Sequence, residues 1–286
     1  RTKLNSDLWR GPGSVDREHW EGQIPADLGG DSWARFKFVS NDFFDYDSPT
    51  ISRGQYNCTV KSVVGACGRD FAYIENVPNT TPGFAPTTAG VYYSNANYAQ
   101  VYNLAINVRK DKLYGATFHA GIADGVWAES TLYWEDKGGY GVPSDPYSNS
   151  LTRYNAEVAV GLPVTRPKGI EFGRSGVGGD RYGITTKLHW EMGANTVEAG
   201  VWAEVDKYHR TQARYNTVDG APDSAPNLNE LVYLRRDYRS KRDTMQIFLK
   251  DTLKLADERL VLDFGFKGLM LDYRYNGYRD FDDYYR

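Results

Sequence analysis

The sequence predicts an all-β protein: an antiparallel transmembrane β-barrel wall of about eight strands, part of a larger barrel. Three observations carry that prediction. Apolar side chains recur at every second residue over long stretches. The connections between those stretches alternate strictly between very short and very long. Tyr, Phe and Trp number 22, 12 and 7 among 286 residues, beside 29 Gly, and Tyr and Trp gather where an apolar ring body meets hydrocarbon and its polar tip meets water.

In chain order, residues 15–28 and 33–46 alternate imperfectly and are joined by a tight turn at 29–32. A connection rich in Gly, Pro, Ser, Asn and Tyr follows at 47–97. It contains the only two cysteines, Cys58 and Cys67. Two cysteines with no histidine nearby do not make a structural zinc site, so a disulfide pinning the loop in an oxidising compartment is preferred over free thiols.

In 98–122, Tyr102, Leu104, Ile106, Val108, Tyr114, Ala116, Phe118, Ala120 and Ile122 share one parity. The phase runs unchanged through Arg109–Lys112, which predicts one strand of about 25 residues, because a turn usually resets the register. A turn at 123–125 leads to 126–135 and then to a long connection at 136–179. Tyr182, Ile184, Thr186, Leu188, Trp190 and Met192 line one face of the next strand. After a turn at 193–195, Val197, Ala199, Val201, Ala203 and Val205 oppose Glu198, Trp202, Glu204 and Asp206. A third long connection is placed at 209–241. Strands at 242–254 and 259–271 flank a turn at 256–258, with Leu260, Leu262, Phe264, Phe266 and Met270 opposing Asp263 and Lys267.

Eight strands could close a small barrel, but connections of thirty to fifty residues favour a barrel of about 22 strands with a filled lumen. The near-neutral charge of −3 gives no support to a nucleic-acid binder. No run of about 18 apolar residues occurs, so no helix spans a bilayer, whereas a barrel needs only alternate residues to be apolar. The chain opens at Arg1 with neither Met nor leader, and the expectation is one incomplete barrel domain over 1–286 with its beginning removed.

Candidate chemistry is sparse. Glu198 and Glu204 share a face but stand roughly 20 Å apart on one strand, too far for a glycosidase pair, and are read as lumen-lining. His189 and His209 are read as lumen or loop residues rather than as a base or metal ligands. The glycine-rich run Gly173–Gly179 lacks the Lys-Ser/Thr ending and following helix of a phosphate loop. Asp42, Asp45 and Asp47, and Asp280, Asp282 and Asp283, are read as solvated loop charge rather than calcium ligands. No catalytic residue, metal site or cofactor is expected. The stretch 208–242 holds Tyr208, His209, Arg210, Arg214, Tyr215, Arg235, Arg236 and Arg239, read as a mouth loop; guanidinium and phenol groups there suit an anionic or polyhydroxylated ligand through bidentate hydrogen bonds and stacking. Contact with the phosphates of surface lipopolysaccharide, or simple solvation, is the competing account of the same arginines.

Several blocks resemble TonB-dependent outer-membrane receptors: Asp7-Leu-Trp-Arg-Gly-Pro-Gly13, Asn107-Val-Arg-Lys-Asp-Lys-Leu-Tyr114, Glu135-Asp-Lys-Gly-Gly-Tyr-Gly141, Gly178-Gly-Asp-Arg-Tyr-Gly183, Thr196-Val-Glu-Ala-Gly-Val-Trp202 and Arg242-Asp-Thr-Met-Gln-Ile-Phe-Leu-Lys-Asp-Thr252. The resemblance covers most of the chain and rests on the ordered set. It implies a non-enzyme in the outer membrane of a Gram-negative bacterium: a 22-strand barrel filled by an N-terminal plug whose TonB box engages the inner-membrane TonB complex to import a scarce nutrient such as a ferric siderophore or an oligosaccharide. Plug, TonB box and aromatic-terminated last strand are all missing from the 286 residues. A passive porin-like channel or translocator barrel, and a soluble all-β carbohydrate-active protein, are the alternatives. A plug encoded upstream would exclude the first, and membrane partitioning the second.

Overall fold

The computed structural model describes residues 1–5, 14–46, 51–62, 65–70, 82–101, 104–143 and 145–277. They form one antiparallel sheet of nine strands paired strictly in sequence order: β1 (Thr2–Asn5), β2 (Ser14–Gly29), β3 (Ser32–Tyr46), β4 (Ile106–Ala123), β5 (Val126–Val142), β6 (Phe172–Met192), β7 (Asn195–Thr217), β8 (Pro226–Leu255) and β9 (Leu260–Gly277). The eight expected strands are present, and β1 adds a short one at the edge. The tight turns fall where the sequence places them: Gly30-Asp31, Asp124-Gly125, Gly193-Ala194 and Ala256–Arg259. In a meander these four lie at one end of the sheet, and the strand ends at Tyr46, Ile106, Val142, Phe172, Thr217 and Pro226, from which the longer connections leave, lie at the other.

Register converts the alternation into one continuous exposed apolar face. Phe38 pairs with Tyr114, Tyr114 with Trp134, and Trp134 with Tyr182, so four aromatic rings form one row across β3–β6. This is the form an interfacial girdle takes in a membrane barrel. Toward the tight turns the same face carries Phe36, Phe118, Leu132, Leu188, Trp190, Met245, Ile247, Leu249, Phe264 and Phe266, all exposed. The band from Tyr182 to Met192 covers roughly 33 Å of strand, or about 25 Å of height at a tilt near 40°. The two hydroxyls in the band, Ser130 and Thr186, bond each other at 3.0 Å, which removes the cost of presenting unpaired donors to hydrocarbon.

Beyond the girdle the strands continue as a projecting wall, and here the sequence expectations need correction. Residues 136–142, 172–179, 209–217 and 226–241 are strand, not loop. Here the strands leave the apolar band, and their faces meet water, polar neighbours or, at Val142 and Phe172, the small core of the connections, so no period-two apolar pattern marks them, although the backbone ladder persists. The opposite error occurs at 98–105. Ala96–Gln100 is a 3-10 helix and β4 begins only at Ile106, while Tyr102 lies outside the described residues. The apolar residues that mimic strand phase, Tyr98 and Leu104, are instead buried with Phe84, Val142 and Ile170 in a small core beneath the long connections.

Those connections also hold helices that alternation could not reveal. Helix α1 (Arg53–Tyr56) begins with a capping box between Ser52 and Gln55. Just after it, Cys58 and Cys67 form a disulfide with Cα atoms 5.0 Å apart. Helix α2 (Tyr147–Ala159) packs against β8.

Candidate functional site

The inner face of the sheet, opposite the apolar band, gathers its polar side chains across β3–β8 in three tiers, while Leu269 and Leu271 on β9 keep it apolar at that edge.

The lowest tier is a column of four rings, Trp33–His119–Trp127–His189, crossing β3–β6 with centroid spacings of 5.3, 5.0 and 4.7 Å. Arg35 and Lys187 lie over its two indoles. Glu198 accepts from Lys187 at 3.1 Å and stands 3.4 Å from His189. His189 is thus a stacked inner-face residue. Its ring and Glu198 are held by charge and stacking, as the lumen-lining reading of both requires.

The middle tier, level with the girdle, is built around Glu204, only 4% exposed. Tyr133 donates to it at 2.7 Å and Arg242 at 3.1 Å, and the Arg181 guanidinium lies 3.7 Å away. Trp202 donates through its indole N–H to the Tyr133 oxygen at 2.9 Å. Arg181 also pairs with Glu135, and Arg242 with Asp206. Along the tier the order is Glu135, Arg181, Glu204, Arg242, Asp206, alternating in sign across β5–β8. A Cβ at Gly183 would stand 2.6 Å from the Tyr133 oxygen, so glycine is what lets that ring lie over β6. The sequence signal for this tier was the Glu204/Asp206 side of β7; its partners on β5, β6 and β8 become visible only with the register.

The upper tier contains most of the residues singled out as a mouth loop. They do not share a loop: they lie on the projecting β7–β8 hairpin, whose true connection is 218–225. Strand alternation divides them between faces. Tyr208, Arg210, Arg214 and Arg236 face inward; His209, Tyr215 and Arg239 face outward; Arg235 sits in the bulge between the Gln212/Arg236 and Ala213/Leu234 pairs. Arg214 and Arg236 are each 1% exposed and cannot reach a ligand from the lumen without rearrangement. Arg214 pairs with Asp145 at 2.9 Å and lies over the Tyr233 ring, whose hydroxyl also donates to Asp145. His209 contacts Asp237 at 2.7 Å on the outer face. What remains on the inner face is a half-exposed field of Tyr208 and Arg210, with Tyr238 bridging to Tyr275 at ring spacings of 6.2 and 5.0 Å. Tyr238 and Tyr275 were absent from the sequence-based set. Their inward parity follows only from pairing with Arg210 and Ser240.

Above this field, α2 is latched to the sheet. The Ser150 hydroxyl donates to Glu171, which is fully buried. Burial pushes the Glu171 carboxyl up to about 8 against the opposing pull of the Ser150 hydrogen bond, so it is largely protonated at neutral pH. Burial likewise raises the Tyr233 phenol above its ordinary range. A Cβ at Gly173 would meet the Pro143 carbonyl and the Arg214 guanidinium. The Gly173–Gly179 run is therefore strand under a close cover, not a phosphate loop.

No group of His, Cys, Asp and Glu suited to a metal ion occurs among the described residues. Asp42 pairs with Lys110 at 3.4 Å, whereas Asp47, Asp280, Asp282 and Asp283 lie outside the described residues.

No family model matches the chain, and no curated protein matches it in sequence. Solved structures match its fold. The open form of the ferric-catecholate import receptor Fiu from E. coli K12 aligns with 96% of this chain and 39% of its own length, at a TM-score of 0.53 and 14% identity. BauA, the ferric preacinetobactin receptor from Acinetobacter baumannii, aligns with 96% of this chain and 36% of its own length, at a TM-score of 0.50 and 11% identity. The chain has the wall fold of TonB-dependent receptor barrels. It spans less than two fifths of the length of these two receptor barrels. At this identity the likeness concerns the fold.

Proposed function

We propose that the chain is an incomplete barrel domain of an outer-membrane receptor that imports a scarce nutrient by TonB-driven movement of a plug, in a barrel of about 22 strands. The observation that carries this reading is the pairing of an aromatic-edged hydrocarbon band on one face with an Arg/Tyr field above it on the other. A soluble sandwich has no reason to expose Phe, Leu and Trp at alternate positions across eight strands. The role in this reading is capture and transport rather than catalysis.

Both receptors matched in fold are named for ferric ligands, and the inner field suits the same class. A ferric catecholate is anionic and aromatic. Arg210 offers a guanidinium group, Arg181 and Arg242 below it are already paired with Glu135, Glu204 and Asp206, and Tyr208 and Tyr275 offer ring faces in front of the buried Tyr238, a combination suited to such a ligand through charge-assisted hydrogen bonds and stacking. An oligosaccharide would use the aromatic faces but gain little from the charge of Arg210.

The test is titration of the purified full-length gene product with a ferric tris-catecholate and, separately, with a neutral oligosaccharide, read by tryptophan fluorescence. The reading expects saturable binding of the ferric complex, weakened about tenfold in Arg210→Ala. Binding of the oligosaccharide alone, or ferric binding indifferent to Arg210, would replace this ligand class with another.

A further inference from the structure

We propose that Arg214 and Tyr233 form an anion clamp which the protein keeps closed with its own Asp145, and that a carboxylate on the incoming ligand displaces Asp145 and releases helix α2. The inference rests on the anionic-ligand reading above and adds the control of ligand entry.

The clamp has the parts of a binding site. Arg214 and Tyr233 pair across β7 and β8 and are each 1% exposed. The guanidinium Nη2 stands 2.9 Å from Asp145 Oδ2, and the Tyr233 hydroxyl donates to that same oxygen. The guanidinium carbon lies 5.7 Å from the centre of the Tyr233 ring. A planar cation over an aromatic ring, with a phenol converging on the same point, recognises a carboxylate by charge and by geometry. On the same strand and face, Arg214 stands roughly 13 Å beyond Arg210, so a ligand entering from the mouth meets the clamp before the inner field.

Asp145 fills the clamp incompletely. Both donors converge on one oxygen, while Arg214 Nε is buried with no hydrogen-bond partner among the described residues. A carboxylate that met the guanidinium fork squarely would engage Nε and Nη2 together. The Pro143 carbonyl is what crowds that side: with Arg214 Nε, it takes the space that a Cβ would fill at Gly173. Since residue 173 has no side chain, the space opens when Pro143 withdraws. A ligand carboxylate then accepts from Nε and Nη2 at once and from Tyr233 as well, one bond more than Asp145 makes.

The exchange is coupled to α2 through the chain. Pro143 and Asp145 both belong to the short stretch joining β5 to α2, and Pro146 is the N-cap of that helix, with no side-chain capping bond. Moving the two residues out of the clamp moves the start of the helix. The Asp145 side chain is 21% exposed against 1% for Arg214, so it leaves toward water and the ligand arrives by the same route. On its buried side α2 is held by the Ser150–Glu171 hydrogen bond, whereas the Tyr147 hydroxyl and the second Glu171 oxygen find no partner among the described residues. The closed form is thus one that a better-fitting anion can open.

The test compares ferric tris-protocatechuate with ferric tris-catecholate, which differ only by a carboxylate on each ring. Both are titrated into the full-length product in mild detergent. Affinity is read by equilibrium dialysis, and α2 by hydrogen exchange of Tyr147–Ala159 at one fixed pH. The clamp predicts about tenfold tighter binding of the carboxylated complex. That complex should also speed α2 exchange with the midpoint of its binding, while the plain complex leaves α2 protected. Asp145→Asn should exchange faster without ligand and bind the carboxylated complex about tenfold tighter than the parent, because no internal carboxylate has to be expelled. Arg214→Gln should bind both complexes alike. If Asp145→Asn lacks the heat-modifiable gel mobility of a folded barrel, the exchange titration of the parent decides. An Asp145 that only braces the fold would loosen α2 when replaced but leave affinity unchanged or lowered, which overturns the clamp. Equal affinity for the two complexes, or α2 exchange unchanged at saturation, also overturns it and leaves the ferric-ligand reading intact. Binding of neither complex overturns both.

Discussion

Replacing Ile247 with arginine puts the membrane assignment at risk in a way that no contact inside the sheet can obscure. Ile247 is 42% exposed on the apolar face. It sits in the row that joins Val201, Thr186, Ser130 and Phe118 through the register of β4–β8, two pleats below the girdle and close to the middle of the band. A cation at the bilayer midplane of a barrel costs about 2–4 kcal/mol, falling to about 0–1 at the interfaces. Ile247→Arg is therefore expected to destabilise the folded barrel by about 3 kcal/mol, roughly a hundredfold in the folding constant. Gln246→Arg, the neighbouring residue on the polar face, should change it by about 0.5 kcal/mol or less. The assay is reversible guanidinium unfolding of the full-length product in lipid vesicles, followed by tryptophan fluorescence. In water an exposed Ile-to-Arg change is close to neutral, so equal effects at 246 and 247 would refute the argument that this face meets hydrocarbon.

The α2 latch should weaken with rising pH. The Glu171 carboxyl is raised from an unfolded value near 4.5 to about 8, so the folded state holds the extra proton, and the stability it contributes is present below about pH 4.5 and lost as pH climbs through 8. The protection factors of amides in 145–171, exchange rates corrected for the intrinsic rate at each pH, should fall between pH 6 and 9 and stay flat over that window in Glu171→Gln; an unchanged profile in the variant would remove Glu171 from the explanation. At the β8–β9 turn, Ala256, Asp257 and Glu258 all carry left-handed backbone, with φ of 52°, 53° and 65°. Asp257→Gly is expected to stabilise the barrel by about 1 kcal/mol, and a loss of stability in the same vesicle assay would contradict it. Reducing the Cys58–Cys67 bridge, which closes a loop of about ten residues, should cost its segment about 2–3 kcal/mol. Protease should then cut between 51 and 70 while the sheet stays resistant, and cleavage of the sheet itself would show that the two are coupled.

The parts of the fold legible in the sequence are those where a physical boundary leaves a mark. Hydrocarbon demands an apolar residue at every second position, and Val197 to Val205 and Tyr182 to Met192 record that demand directly. Tight turns need residues that tolerate positive φ, and Gly125 and Gly193 supply them. Above the girdle no boundary acts. Arg210, Gln212 and Arg214 continue β7 with no apolar alternation to reveal it, so the hairpin reads as a loop and its residues cannot be divided between faces. At Tyr98 and Leu104 a different boundary, the small core of the long connection, imposes apolarity that happens to match strand parity. The inner lattice was half visible: Glu204 and Asp206 fall on the polar side of β7, but Tyr133, Arg181 and Arg242 join them only through pairings between strands far apart in sequence, up to 71 residues for Tyr133. The Arg214 clamp is hidden for the same reason, since Asp145 and Tyr233 meet across 88 residues.

Spin labels placed one at a time from 244 to 252, in the full-length product reconstituted in bilayers, test most directly whether alternate side chains of β8 face lipid. The account predicts a period-two oscillation, with oxygen the stronger relaxer at 245, 247 and 249 and a polar nickel chelate the stronger at 246, 248 and 250. Uniform protection from both, or an oscillation of opposite phase, would contradict it.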